Sequence, residues 1–280
     1  MGILQELTGT YREALLAMLL TMPRIYAVFS TAQLLNTSLM SRMARNGLLI
    51  MIAMPLFPMT IQQAGALELD GTTFAMYFLK EYAIGFLIGF LISSLLWAVQ
   101  AAGSLIDNQR GAAVASSVDP MLGNESSPMG DLFGRAFVLY LFLTPGFFFI
   151  LGLVYHSYQV LPISAFIPPI SERFPEFILG IVDNAMRLMF VLAAPLVVLM
   201  FLSEFALAII SRFDPQIQVF VLAMPIKSGI AAILFTFYLT FMLPMAADHL
   251  PSLQSNILEL LQIFGSSEHI LEKIDAGNMP

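Results

Sequence analysis

The chain has 280 residues, of which 58% are hydrophobic and 11% charged, against about 45–50% apolar and 25% charged in a soluble domain. With a mean hydropathy of +0.83 and uncharged runs of membrane-spanning length, it is an integral membrane protein by composition, which excludes the soluble, disordered and fibrous classes. A net charge of -7 without any Lys/Arg cluster argues against nucleic-acid binding and polybasic lipid sensing, and the absence of Cys removes disulfides, thiolate metal sites and a Cys nucleophile.

Residues Met1 to Tyr11 carry no basic stretch and no small-residue cleavage pattern, so the first apolar segment is expected to be kept as a helix. Long uncharged runs then follow at Ile25 to Ser41, Asn46 to Leu67, Tyr82 to Ile106, Ala136 to Ser171, Leu188 to Ser203 and Ser228 to Ala247, which predicts six spans. The first is better drawn from Ala14 to Leu35, which puts Arg24 at its centre. Tyr82 to Ile106 makes roughly 38 Å of helix, enough to cross a core of about 30 Å. Inside it Gly85 and Gly89 form a GxxxG spacing that lets another helix approach closely. Ala136 to Ser171 would make roughly 54 Å and is broken by Pro145-Gly146, Pro162 and Pro168-Pro169. Leu188 to Ser203 makes only about 24 Å, so a full crossing must take in Asp183 and Arg187 or Glu204. Asp183 and Arg187 share a helical face and can neutralise each other, and Glu204 and Lys227 can pair across the Arg212-Phe213-Asp214-Pro215 turn.

Basic residues balance across a six-span arrangement: Arg42, Arg45, Arg110, Arg135 and Arg212 on one side, Arg12, Lys80, Arg173, Arg187 and Lys273 on the other. The positive-inside rule therefore leaves orientation open. Leu250, Leu253, Ile257, Leu260, Leu261 and Phe264 recur at helical spacing and predict an amphipathic helix, followed by an acidic tail from Glu268 to Pro280. No enzyme constellation is present: His156, His249 and His269 lack metal-ligand spacing, and HExxH, GxSxG and Walker-type loops are missing. An intramembrane enzyme would need convergent titratable groups, and a small-solute secondary transporter with broken helices would use Glu204, Lys227 or Asp183. The two halves show no inverted repeat of hydropathy.

The stretch from Gly103 to Phe133, GSLIDNQRGAAVASSVDPMLGNESSPMGDLF, is far longer than an ordinary helix connection. It combines turn chemistry at Asp119-Pro120, Gly123-Asn124 and Ser127-Pro128 with small apolar residues from Gly111 to Ser117. Met121 and Met129 can fill an irregular gap. A loop that folds back to obstruct a passage is one physical reading, and a structured connector is the other.

The string IDNQRGAAVASSVDPMLGNESSPMG resembles the signature of the inner-membrane T component of type III secretion export gates, the SctT/SpaR/YscT group homologous to flagellar FliR. SRFDPQIQVFVLAMPIKSG, with Pro215, Gln216, Pro225 and Lys227, looks like the family's helical-hairpin turn. The wording is nearer the virulence than the flagellar branch. The resemblance implies an all-α membrane fold of helical hairpins, like a P-type subunit fused to a Q-type one. In that scheme residues 1–249 form the export-gate domain, 177–249 its Q-type-like hairpin, 107–130 the plug, and 250–280 a C-terminal helix and tail. Carried over by position, the plug residues are Asp107, Gln109, Arg110, Gly111, Asp119, Pro120, Gly123, Ser127, Pro128 and Gly130; Met121 and Met129 join them not by that match but as flexible side chains suited to sealing a gap. Pro215, Gln216, Pro225 and Lys227 match the hairpin, and Gly85, Gly89 and Glu204 are added as packing residues from the GxxxG spacing and the expected ion pair. The implied partners are P-type (SctR) and Q-type (SctS) subunits, an SctU-type switch protein, an SctV-type export ring, an inner rod or needle adaptor, unfolded secreted proteins and membrane lipid. The implied place is the bacterial inner membrane, partly raised toward the periplasm. Neither a cofactor, a catalytic activity nor nucleic acid is implied.

Overall fold

The computed structural model describes residues 2–35, 40–65, 71–111, 127–165, 173–213 and 219–264. Among them the fold is all-α, as its composition requires. The helices are α1 (Gly2–Ala32), α2 (Arg42–Ala53), α3 (Phe57–Gly65), α4 (Gly71–Gln109), α5 (Pro128–Leu143), α6 (Gly146–Val160), α7 (Phe174–Phe213), α8 (Val219–Ala247) and α9 (Leu250–Phe264). A 3-10 turn, Met54–Leu56, joins α2 to α3 where Pro55 removes a donor.

Five helical segments are long and apolar enough to cross a membrane, or six if α5 and α6 count as one broken span. The protein is therefore a multi-pass membrane protein, with the break at Pro145 where the sequence puts it. Elsewhere the spans outrun their uncharged runs. The first helix starts at Gly2 and ends at Ala32, three residues short of the expected Leu35, on Gln33 at φ 54. α4 begins at Gly71, so Lys80 and Glu81 lie inside it, and Lys80 is not the loop charge that the orientation count assumed. α7 runs for 40 residues through Asp183, Arg187, Glu204 and Arg212. Asp183 and Arg187 are both exposed and form no ion pair, which corrects the expected local neutralisation.

The chain divides into two compact units. Unit 1 holds Met1–Ser93, Phe147–Leu179 and Ser252–Pro280. There α1 packs on α2 and α3, and its core is built from Leu20, Ile25, Val28 and Phe29 of α1, Ile88, Leu91 and Ile92 of α4, and Val154 and Tyr158 of α6. The apolar face of α9, with Leu253, Ile257, Leu260 and Leu261, is buried too, so this amphipathic helix packs on its own bundle. Gly85 and Gly89 stand against α1: a methyl at Gly85 would collide with the Arg24 carbonyl oxygen, and one at Gly89 would lie 2.8 Å from that of Val28. The GxxxG spacing thus serves a contact inside the chain.

Unit 2 holds Ser94–Gly146 and Gly180–Pro251. Its buried residues include Val99, Ala102 and Ile106 of α4, Phe133 and Phe137 of α5, Leu192 and Leu196 of α7, and Ala231 and Met242 of α8. α5 packs on α8, where Phe133 stacks on Phe235 with ring centroids 5.5 Å apart. α7 and α8 are tied together by the Tyr238 hydroxyl, which donates to the Leu192 carbonyl at 2.6 Å. Much of their outer surface is apolar and exposed.

Candidate functional site

The plug signature begins and ends in helix. Asp107 and Gln109 occupy the last turn of α4, and Pro128, Met129 and Gly130 the first turn of α5, so both ends of the 107–130 signature belong to helices. Pro128 fits the first helical position because its missing N–H needs no partner there. Ser127 caps the helix, its hydroxyl oxygen accepting from the Gly130 amide at 3.0 Å. Its own proton goes to Asp107 Oδ2 at 2.6 Å, which also accepts the Met129 amide at 2.9 Å. A carboxylate from the end of α4 therefore sits on the positive N-terminus of α5. Arg110 Nη2 lies 2.7 Å from Asp107 Oδ1 and balances the charge.

Below this network the two backbones touch. A methyl at Gly103 would stand 2.6 Å from the Met129 carbonyl oxygen, and one at Gly130 would stand 2.5 Å from Ser104 Oγ. One turn further on, Gln100 Nε2 reaches Asp131 Oδ1 at 3.4 Å and the Gln100 side chain faces Gly134. Residues 107, 103 and 100 of α4 meet the cap residue 127 and residues 130 and 134 of α5, an antiparallel joint from which the connector departs and to which it returns. Gly111, at φ +86, makes the exit in a conformation that favours glycine, beside the Met224 side chain of α8. Gln109 is exposed outside the network. Asp119, Pro120, Met121 and Gly123 lie outside the described residues, as do Pro215, Gln216 and the acidic tail.

In the hairpin, Lys227 Nζ donates to Glu204 Oε2 at 2.6 Å, the pairing expected from the sequence. The Lys227 side chain is nearly buried, while that of Glu204 keeps 49% of its exposure. Pro225 lies inside α8, two residues from that lysine.

A second charged cluster lies in unit 1, and of its members the sequence marks only Arg24 as a charge within a span. Arg24 is fully buried in α1; its Nε donates to Glu81 Oε2 at 2.7 Å, Nη1 to the Ser157 carbonyl at 2.9 Å and Nη2 to the Leu161 carbonyl at 2.9 Å. Its guanidinium lies 4.1 Å from the centroid of the Tyr158 ring. Lys80 Nζ pairs with Glu81 Oε1 at 2.9 Å and donates to the carbonyls of Ile163 at 2.7 Å and Ala165 at 2.8 Å. One carboxylate and the open carbonyls at the end of α6 thus hold two cations. The missed signal was the demand of a mid-span Arg24 for an anion, which Glu81, four residues before Gly85 on the helix facing α1, supplies.

Compared with known proteins, the chain matches the model of bacterial export proteins, family 1, over residues 15–253. It belongs to that family. Among family members, Yop proteins translocation protein T of Yersinia pestis is 38% identical over 83% of this chain and 89% of its own length. Surface presentation of antigens protein SpaR of Salmonella typhimurium is 32% identical over 79% of this chain and 82% of its own. Flagellar biosynthetic protein FliR of Bacillus subtilis is 31% identical over 78% and 84%. The resemblance read from the loop and hairpin motifs therefore holds along most of this family member's chain.

Proposed function

We propose that the protein is a core subunit of a type III secretion export gate in the bacterial inner membrane. With P-type and Q-type subunits it forms the closed entry pore for unfolded protein substrates, and residues 107–130 carry the plug. Similarity to both virulence and flagellar export proteins over most of the chain is the observation that carries this reading. The Asp107 joint supports the plug assignment, because a chain that leaves and returns at one rigid point is held where an obstruction must stay. The switch protein, the export ring, and the rod or needle adaptor are its expected neighbours. The role is passive, with energy supplied by partners. A solute transporter built on Glu204 and Lys227 is less well supported, since each already satisfies the other.

The test is to tag the C-terminus, extract native membranes in mild detergent and identify what co-migrates in a large particle. Recovery with P-type and Q-type subunits is expected; a lone monomer or dimer, under conditions that preserve other complexes, would overturn the gate. Deleting Val114 to Gly123 with the partners present should make the membrane permeable to ions or small solutes. Unchanged permeability would refute the plug.

A further inference from the structure

The α4–α5 joint is bonded far more heavily than a boundary between moving parts needs to be. Three successive levels close it: the Asp107 carboxylate on Ser127 and the Met129 amide, the Gly103–Gly130 backbone contact, and Gln100 against Asp131 and Gly134. Separating the helices would strip a partly buried carboxylate of two hydrogen-bond donors and uncap α5, where membrane or packed protein offers no water to replace them. It would also open a void along a glycine-lined surface that has no side chains to fill it.

We propose that this joint stays closed throughout export, so that the gate opens without parting α4 from α5. Asp107 is then a positioning residue: it fixes the point from which the connector starts and to which it returns, and takes no part in the opening movement itself. The inference rests on the gate reading above and adds to it where the opening movement does not occur.

The chain has no Cys, and a Cβ at Gly134 would lie 3.7 Å from that of Gln100, close to the spacing a disulfide bridges. Gln100→Cys with Gly134→Cys, in the full chain with its natural partners, therefore locks the joint at its lowest level. After oxidation of whole cells, secretion of a reporter substrate should stay within about twofold of the reduced state and of each single variant. A loss of tenfold or more that reductant restores would overturn the inference while leaving the gate reading intact. Secretion that does not depend on the chain at all would remove the gate reading, and the inference with it. As a second measurement, the cross-link should form at equal rates in resting and actively exporting cells. A rate that falls severalfold during export means that the joint parts, and overturns the proposal even if the locked variant folds poorly.

Discussion

Arg24, Lys80 and Glu81 show how a membrane chain carries charge inside its apolar segments. Each cation alone at mid-membrane costs about 2.5–3.5 kcal/mol on insertion scales. Here both share the Glu81 carboxylate, and the remaining donors of Arg24 and Lys80 fall on carbonyls at and beyond the end of α6. That arrangement makes Glu81 the residue whose loss is worst. Glu81→Gln keeps an acceptor for Arg24 but leaves two buried cations without an anion, and the destabilisation expected for breaking such a pair is about 3–5 kcal/mol. Denaturant unfolding of the detergent-solubilised chain measures it. A loss below about 1 kcal/mol would show that the carbonyls alone carry both charges.

At the scale of elements, glycine decides which helices touch. Gly85 and Gly89 let α1 lie against α4 with backbone in contact, whereas a methyl at Gly152 of α6 would meet nothing within 4 Å. Gly85→Ala should therefore destabilise the chain by about 1–3 kcal/mol, the usual cost of overpacking. Gly152→Ala should be neutral, or stabilising by up to about 1 kcal/mol from helix propensity. Melting temperatures of the two variants, measured side by side, separate the cases, and equal shifts would refute the close contact. The GxxxG spacing, the break at Pro145 and the amphipathic pattern from Leu250 to Phe264 were legible in sequence because each is a local rule of sterics or periodicity. The lengths of α4 and α7 were not. Cutting the chain at charges assumes that every charge ends a span, and Lys80, Glu81 and Glu204 break that assumption by finding partners far away in sequence. The same limit applied at the candidate site. Turn chemistry marked Ser127-Pro128 as a boundary, but only the fold shows that Asp107 reaches across to cap the helix beginning there.

For the molecule as a whole, the α7–α8 pair presents an exposed, apolar outer surface that lipid or a neighbouring chain must cover. Phe201, Phe205, Phe237 and Phe241 each keep more than half of their surface exposed. In α7, Glu204 lies at the centre of such a surface, paired with Lys227 yet half-exposed itself. Lipid is a poor neighbour for that carboxylate, because no lipid tail can donate a hydrogen bond to it. Packed protein suits it better: a neighbouring helix can cover the aromatic rings and exclude lipid from the ion pair at once. On the proposed function that neighbour is another gate subunit. Phe205→Asn, one residue from Glu204, removes apolar contact area without disturbing the pair. It should lower recovery in the large particle by about tenfold, the equivalent of about 1.4 kcal/mol of binding. The melting temperature of the isolated chain should change less than recovery does, since more than half of Phe205 is exposed there. Full recovery of the Phe205→Asn variant in the particle would show that this face meets lipid, and that Glu204 and Lys227 satisfy each other there unaided.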